Sequence, residues 1–505
     1  MSDIVESPNI GLSAQAASDK GRNWSIAHVQ LTCRRECVGD VRLETQEQVD
    51  EFGALRCTKI IGSLIVTGTV ASLEPLAALH KITGDLFVQE NDSLSTLHGL
   101  ECLREVGGQV TLIDASALTT VAALGNLQKI GGALEFIRTA VQRIGPFCHL
   151  KTLGNLFVVE NAALERIDGF NSCHLRETSF INIVDNNRLQ RVVGFNGLKT
   201  LEFSFFVAQN QQLQSIRVLQ RLTFGAVILN TLPALTEFCD LPKVKETGTG
   251  IALTRLPLLR HLPAFPRLHT INGSFQVLDL PLVTNVDGFS ALQIVTGTVV
   301  VFNTQSENLD GFAQLERIGG SLIILQNDAL SSIQGLSSLL DVGMLISGNV
   351  ILSNNISLSD FCGLQPIASQ DPTGDPPFLV QNNAANPDKQ AIAALQPCDV
   401  CNFVRLLLQR WVNDNVISTV TQRYFLFGGL GEQSVQCARR FNAITANQAL
   451  ILRGALEWYA RQQETKCAKD LLLCCAPEGA PPCCASDIGL LRHELITQCT
   501  AFRQH

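Results

Sequence analysis

The sequence predicts a β-solenoid with one strand per turn, followed by a small α-helical, cysteine-rich domain. Three observations carry this. A short phrase recurs, reading ITGDLFVQENDSLSTLHGL from Ile82, TLGNLFVVENAALERIDGF from Thr152 and IGGSLIILQNDALSSIQGL from Ile318. Its spacing is about 22 to 28 residues over about fourteen copies, a length that builds stacked turns. The phrase then stops, and apolar residues recur instead at helical spacing, as in Val404, Leu407, Leu408 and Trp411. The expected organisation is a disordered N-terminal segment over 1–32, a solenoid over 33–385 and a helical cysteine-rich domain over 386–505.

Within one unit the roles follow from strand geometry. Side chains alternate between faces, so Leu156 and Val158 point into the turn while Phe157 and Val159 point out. Asn161 then sits at the bend, where its side chain can bond backbone groups left open, and stacked copies form an Asn ladder. Equivalent residues are Asn91, Asn210, Asn327 and Asn355. Leu164, Ile167 and Phe170 return to the core, and Gly84, Gly154 and Gly320 precede strands where the backbone turns tightly. Three successive units replace Asn by Leu-Pro, at Leu232, Leu256 and Leu280. The Asn ladder cannot run through them, so an apolar ladder is expected there.

Two further features resemble a known family. The unit I-x-G-x-L-x-I stands at Ile60–Val66 and at Ile318–Ile324, an Asn-x-x-Leu turn recurs among the units, and the stretch Cys37–Leu43 leads into Cys57–Gly62. The pattern is similar to receptor L-domains, the leucine-rich-repeat-like, single-sheet solenoids of insulin- and EGF-receptor ectodomains and of fungal and protist surface proteins. The resemblance covers about residues 37 to 385. It implies one long parallel sheet and a disulfide between Cys37 and Cys57 capping the first turn. It also implies ligand binding on the sheet's outward face.

That face reads as an apolar stripe, and its predicted ligand-binding anchors are Ile65, Phe87, Phe157, Phe206 and Ile228. A contiguous apolar patch of this kind marks an interface. The expected partner is a protein or glycan ligand, with a second copy of the chain as the alternative, through the same face or an unpaired cysteine. In that alternative the protein is a self-assembling wall, coat or filament component.

Cysteine usage adds two expectations. The chain has 17 cysteines, nine of them from Cys398 onward, and the odd total leaves one unpaired. Cys148 and Cys173 occupy the same place in adjacent units, about 5 Å apart on stacked turns, which predicts a rung-to-rung disulfide. The alternatives are two free thiols, or a zinc set with His149 and His174. Cysteine density suits an oxidising compartment, although the N-terminus MSDIVESPNIGLSAQAASDK has no apolar leader core. The expected location is extracellular or cell surface, and acceptor triplets for N-glycosylation stand at Asn23, Asn91, Asn272 and Asn355.

Other function classes are disfavoured. A net charge of −8 argues against nucleic acid, and no apolar run approaches a membrane span. No nucleophile elbow, zincin or phosphate-loop motif appears. The stripe holds one carboxylate, Glu135, whereas glycoside cleavage needs a pair. No catalytic residue, metal or cofactor is expected.

Overall fold

The computed structural model describes residues 30–31, 35–170, 174–343, 348–371 and 374–395. The chain is a parallel β-solenoid of about 14 turns. It comprises two compact units, residues 1–157 and 158–505. Nearly all of the expected disordered N-terminal segment and of the helical cysteine-rich domain lies outside the described residues.

In the first unit, the strands Val41–Leu43, Leu64–Gly68, Leu86–Asn91, Val110–Ile113 and Ala133–Ile137 pair in parallel. Ile65, Phe87, Thr111 and Glu135 stand in register across them. Alternation decides the faces: Leu64, Val66, Leu86 and Val88 are fully buried, whereas Ile65 and Phe87 are half-buried. A nine-residue helix, Gln46–Ala54, buries Val49 and Phe52 near the start. Thr45 caps it, accepting from the Gln48 amide while the Gln48 side chain accepts from Thr45.

In the second unit nine longer strands form the parallel sheet, from Phe180–Val184 and Thr200–Ala208 to Val350–Ser353 and Phe378–Gln381. Each pairs in parallel with the strand of the next turn. The single sheet implied by the resemblance is therefore incomplete as a description. Both units add shorter parallel ladders on other sides of the turn. One in the first unit runs through Lys59–Ile61, Lys81–Ile82 and Glu105–Val106. One in the second runs through Arg166–Phe170, Arg191–Gly194 and Ser215–Val218. Strands of two to five residues carry too little alternation to be read from sequence.

The bend after each long strand has a common geometry. From the strand Leu86–Asn91 onward one residue enters the left-handed region, from Glu90 through Glu160 and Thr231 to Asn382. The next residue is the ladder position. Asn161 donates from its backbone N–H and Nδ2 to Asn186 Oδ1 at 3.0 and 3.1 Å. Asn186 donates likewise to Asn210 Oδ1 at 2.9 and 3.3 Å. All three asparagines are fully buried. The ladder stops at Leu232, Leu256 and Leu280, each also fully buried, as the Leu-Pro units predict. It resumes at Thr304, whose N–H and hydroxyl donate to Asn327 Oδ1, and continues through Asn355 to Asn383.

Several of the DGF-type phrases are tight 3-10 turns, among them Asp310–Phe312 and Gln334–Leu336, whereas the one at Asp168–Phe170 ends a strand. Their glycines are fixed by close approach of neighbouring turns. A Cβ on Gly311 would lie 1.9 Å from the Val286 carbonyl oxygen, and one on Gly335 2.0 Å from that of Leu309.

Candidate functional site

The outward face is built from alternate residues of the long strands, so its columns follow strand register. In the first unit Ile65 stands beside Phe87, and Phe87 beside Thr111. Phe157, half-buried, stands on the strand Asn155–Val159. In the second unit Phe206 lies between Asn182 and Ile228. The structure thus brings Ile65 together with Phe87, and Phe206 together with Ile228. Each is half-buried.

Beside Thr111 stands the one acid of the stripe. The Thr111 hydroxyl donates to Glu135 Oε2 at 2.9 Å. Burial pushes the Glu135 carboxyl above its usual range, and the Thr111 hydrogen bond opposes this only in part. Asp185, at a left-handed position, is also raised, first by burial and then by the charge of Glu160. Among the described residues no second carboxylate shares the central column with Glu135.

Asn182 adds polar potential. Its side chain is 9% exposed, and its Oδ1 has no hydrogen-bond partner among the described residues. A buried acceptor without a donor is costly. It sits in register with Phe206 and is enclosed by the packing of the turns.

Sequence reasoning missed three features of the face. Phe203 is 52% exposed, the most exposed aromatic among the described residues. It stands where the pairing of Thr200–Ala208 slips register between Thr200 and Ser204. The stretch EFSFF breaks alternation and was the available signal. A second polar ladder runs along the leading edge of the strands. In the second unit the Thr298 amide donates to Ser274 Oγ, Ser321 to Thr298 Oγ1 and Asn349 to Ser321 Oγ, at 3.1, 3.3 and 3.0 Å. The Gly-Ser and Gly-Thr pairs before each strand encode it. Thirdly, on the nine long strands of the second unit no Asp, Glu, Lys or Arg occupies the central outward column or the columns two residues to either side, and Glu202 and Asp279 lie beyond those three columns. At the chain's 17% charged content, about four or five would fall on those 27 positions by chance.

The cysteines divide. Cys37 and Cys57 form a disulfide, as the resemblance implies. Cys148 is exposed with a free thiol, and Cys173 lies outside the described residues. Cys148 therefore does not form the bridge expected from the spacing: the chain buries Phe147 and turns the following side chain to solvent. Cys239 packs its sulfur against the backbone, donating to the Val218 carbonyl at 3.3 Å. Cys362 is disulfide-bonded, and its partner is not among the described residues.

A cleft lined by Thr96, His98, Glu101 and Thr120 lies on the outer turns of the first unit. Its titratable groups engage each other: His98 Nδ1 contacts Glu101, and His98 Nε2 is 3.8 Å from Glu74. Among the described residues no group of three or more His, Cys, Asp and Glu could hold a metal ion. None of their helices is long and apolar enough to cross a membrane.

No protein-family model matches the chain, and no curated protein matches it.

Proposed function

We propose that this chain is an extracellular or cell-surface binding protein whose outward sheet face holds a protein ligand. The observation that carries the reading is the pair of half-buried apolar anchors, Phe206 and Ile228, side by side in register on the outward face. Apolar anchors of this kind supply affinity. Ile65 and Phe87 offer the same kind of anchor in the first unit. The receptor L-domain resemblance supports this use of the face, and the Cys37–Cys57 disulfide accords with an oxidising compartment.

The face suits a protein better than a glycan. Sugar rings stack on flat aromatic platforms, for which Trp and Tyr are the usual residues. The chain has 3 Trp and 2 Tyr, and none stands between residues 35 and 395. The second reading, a self-assembling wall, coat or filament component, is favoured by the uncharged stretch of the second unit.

The test is a screen of the immobilised chain against panels of purified extracellular proteins and of glycans. A protein hit whose affinity falls by about tenfold or more in Phe206→Ser/Ile228→Ser supports the reading. The melting temperature must hold in that variant. A hit indifferent to the double substitution, or hits confined to glycans, rejects it.

A further inference from the structure

The uncharged face of the second unit has a pattern of its own, in three columns. The leading column is small: Ala226, Gly250, Ser274, Thr298 and Ser321. Its hydroxyls are tied to the backbone of the adjacent turn, so this column is a low shelf. The central column is apolar toward the end of the unit, with Val300, Ile323, Ile351 and Leu379 in register. The trailing column carries bulk at Phe302 and Leu325, in register and half-buried, beside the buried Leu278. Leu379, on the last described strand, is 48% exposed.

We propose that this stretch pairs face to face with the same stretch of a second copy, about a two-fold axis parallel to the direction in which the turns stack. Such an axis reverses strand direction and keeps turn order. Each half-buried bulky residue of one copy then meets the small residue four positions earlier in the same turn of the other: Phe302 on Thr298 and Leu325 on Ser321. The central columns meet at the axis. Shelf and ridge interlock, which an interface needs if it is to match interior packing.

Charge and area both favour this partner. Three columns with no charged residue can meet their own copy without like-charge repulsion, with Glu202 and Asp279 left at the rim, and the desolvation penalty is small. Nine strands at about 4.8 Å and three columns span roughly 43 by 17 Å. That is about 700 Å² per copy, or roughly 1,400 Å² in all, within the range of specific interfaces. A two-fold pair closes on itself, so the outcome is a dimer rather than a fibre.

The inference rests on reading the outward face as an interface, and its failure is distinguishable. Sedimentation velocity of the full chain, free thiols blocked, is run over a wide concentration range. A concentration-dependent monomer–dimer equilibrium is expected. Ile323→Asp and Ile351→Asp put facing carboxylates at the axis and weaken the pair by about a hundredfold or more. Ile356→Asp, at a residue 64% exposed and outside the strands, leaves it unchanged. Thermal melts of each variant check folding. A wild-type monomer at every concentration overturns the proposal, whether the face is bare or covered by residues 396–505. So does a dimer that survives both face substitutions in folded protein. Either outcome leaves the ligand reading to its own screen, whereas a dimer covers Phe206 and Ile228, so that a ligand at those anchors competes with the second copy.

Discussion

At the scale of single residues, strain and burial point to sites where substitution has a definite sign. Thr231 is β-branched and sits at φ 53°, a region that favours Asn or Gly. Thr231→Asn relieves the crowding, and a gain of about 0.5–1 kcal/mol in chemical denaturation is expected. Glu135 has a raised carboxyl pKa caused by burial. A raised acid favours the fold below its unfolded pKa, and that contribution is lost as pH rises through the folded value. Glu135→Gln keeps an acceptor for Thr111 and removes the charge. It is therefore expected to raise the melting temperature by a few degrees at neutral pH, with the gap closing below the carboxylate range. Glycosylation can be sorted the same way. Asn91 and Asn355 are fully buried ladder residues, closed to a transferase once folded. Asn272 is partly exposed, donating to Glu246 Oε1 at 2.7 Å. In a secretory host, glycopeptide mapping of the described residues is expected to find glycan at Asn272 and none at Asn91 or Asn355.

At the scale of elements, the account turns on what stacked turns demand of one another. Asn186 Nδ2 donates to the carbonyls of Val158 and Val184, both at 2.9 Å, while its Oδ1 accepts from Asn161. Asn186→Ala strands several buried backbone groups at about 1–3 kcal/mol each. A loss of at least about 3 kcal/mol in urea unfolding is expected. Leu256→Asn fails from the opposite side, because Leu232 and Leu280 offer no partners on either neighbouring turn. Gly335→Ala drives a Cβ into a backbone oxygen and is expected to cost about 1–3 kcal/mol. The repeat was legible because Asn, Gly and alternating Leu/Val each answer a separate demand of the bend, the close turn and the core. The Leu-Pro interruption was legible for the same reason. The short accessory strands were not, since two residues such as Lys81–Ile82 carry no period. Nor was the left-handed residue before each ladder position, because Glu, Arg, Gln and Thr all occupy it and composition gives no cue.

At the scale of the molecule, the repeat makes a surface before it makes a site. Its core is settled by residues that face inward, and this leaves the outward columns free to carry function. The sequence placed the anchors Ile65, Phe87, Phe206 and Ile228 on that face by parity alone. It did not disclose Phe203, which a register slip pushes out, or the unsatisfied Asn182 oxygen, because both depend on packing between turns. The rung-to-rung bridge failed at Cys148 for a related reason: equal sequence position placed the residue but did not aim its thiol. The absence of charge from the second unit's face needed the strand register before it could be seen.

The central claim is that the outward columns are an interface. Photoactivated carbene footprinting tests it most directly, by labelling the chain once as dilute purified protein and once within its native source material. Labelling at Phe206, Ile228 and Ile323 is predicted to fall sharply in the native material, while the off-face reference Ile356 is labelled equally in both. Equal labelling of the outward columns in the two settings would contradict the account.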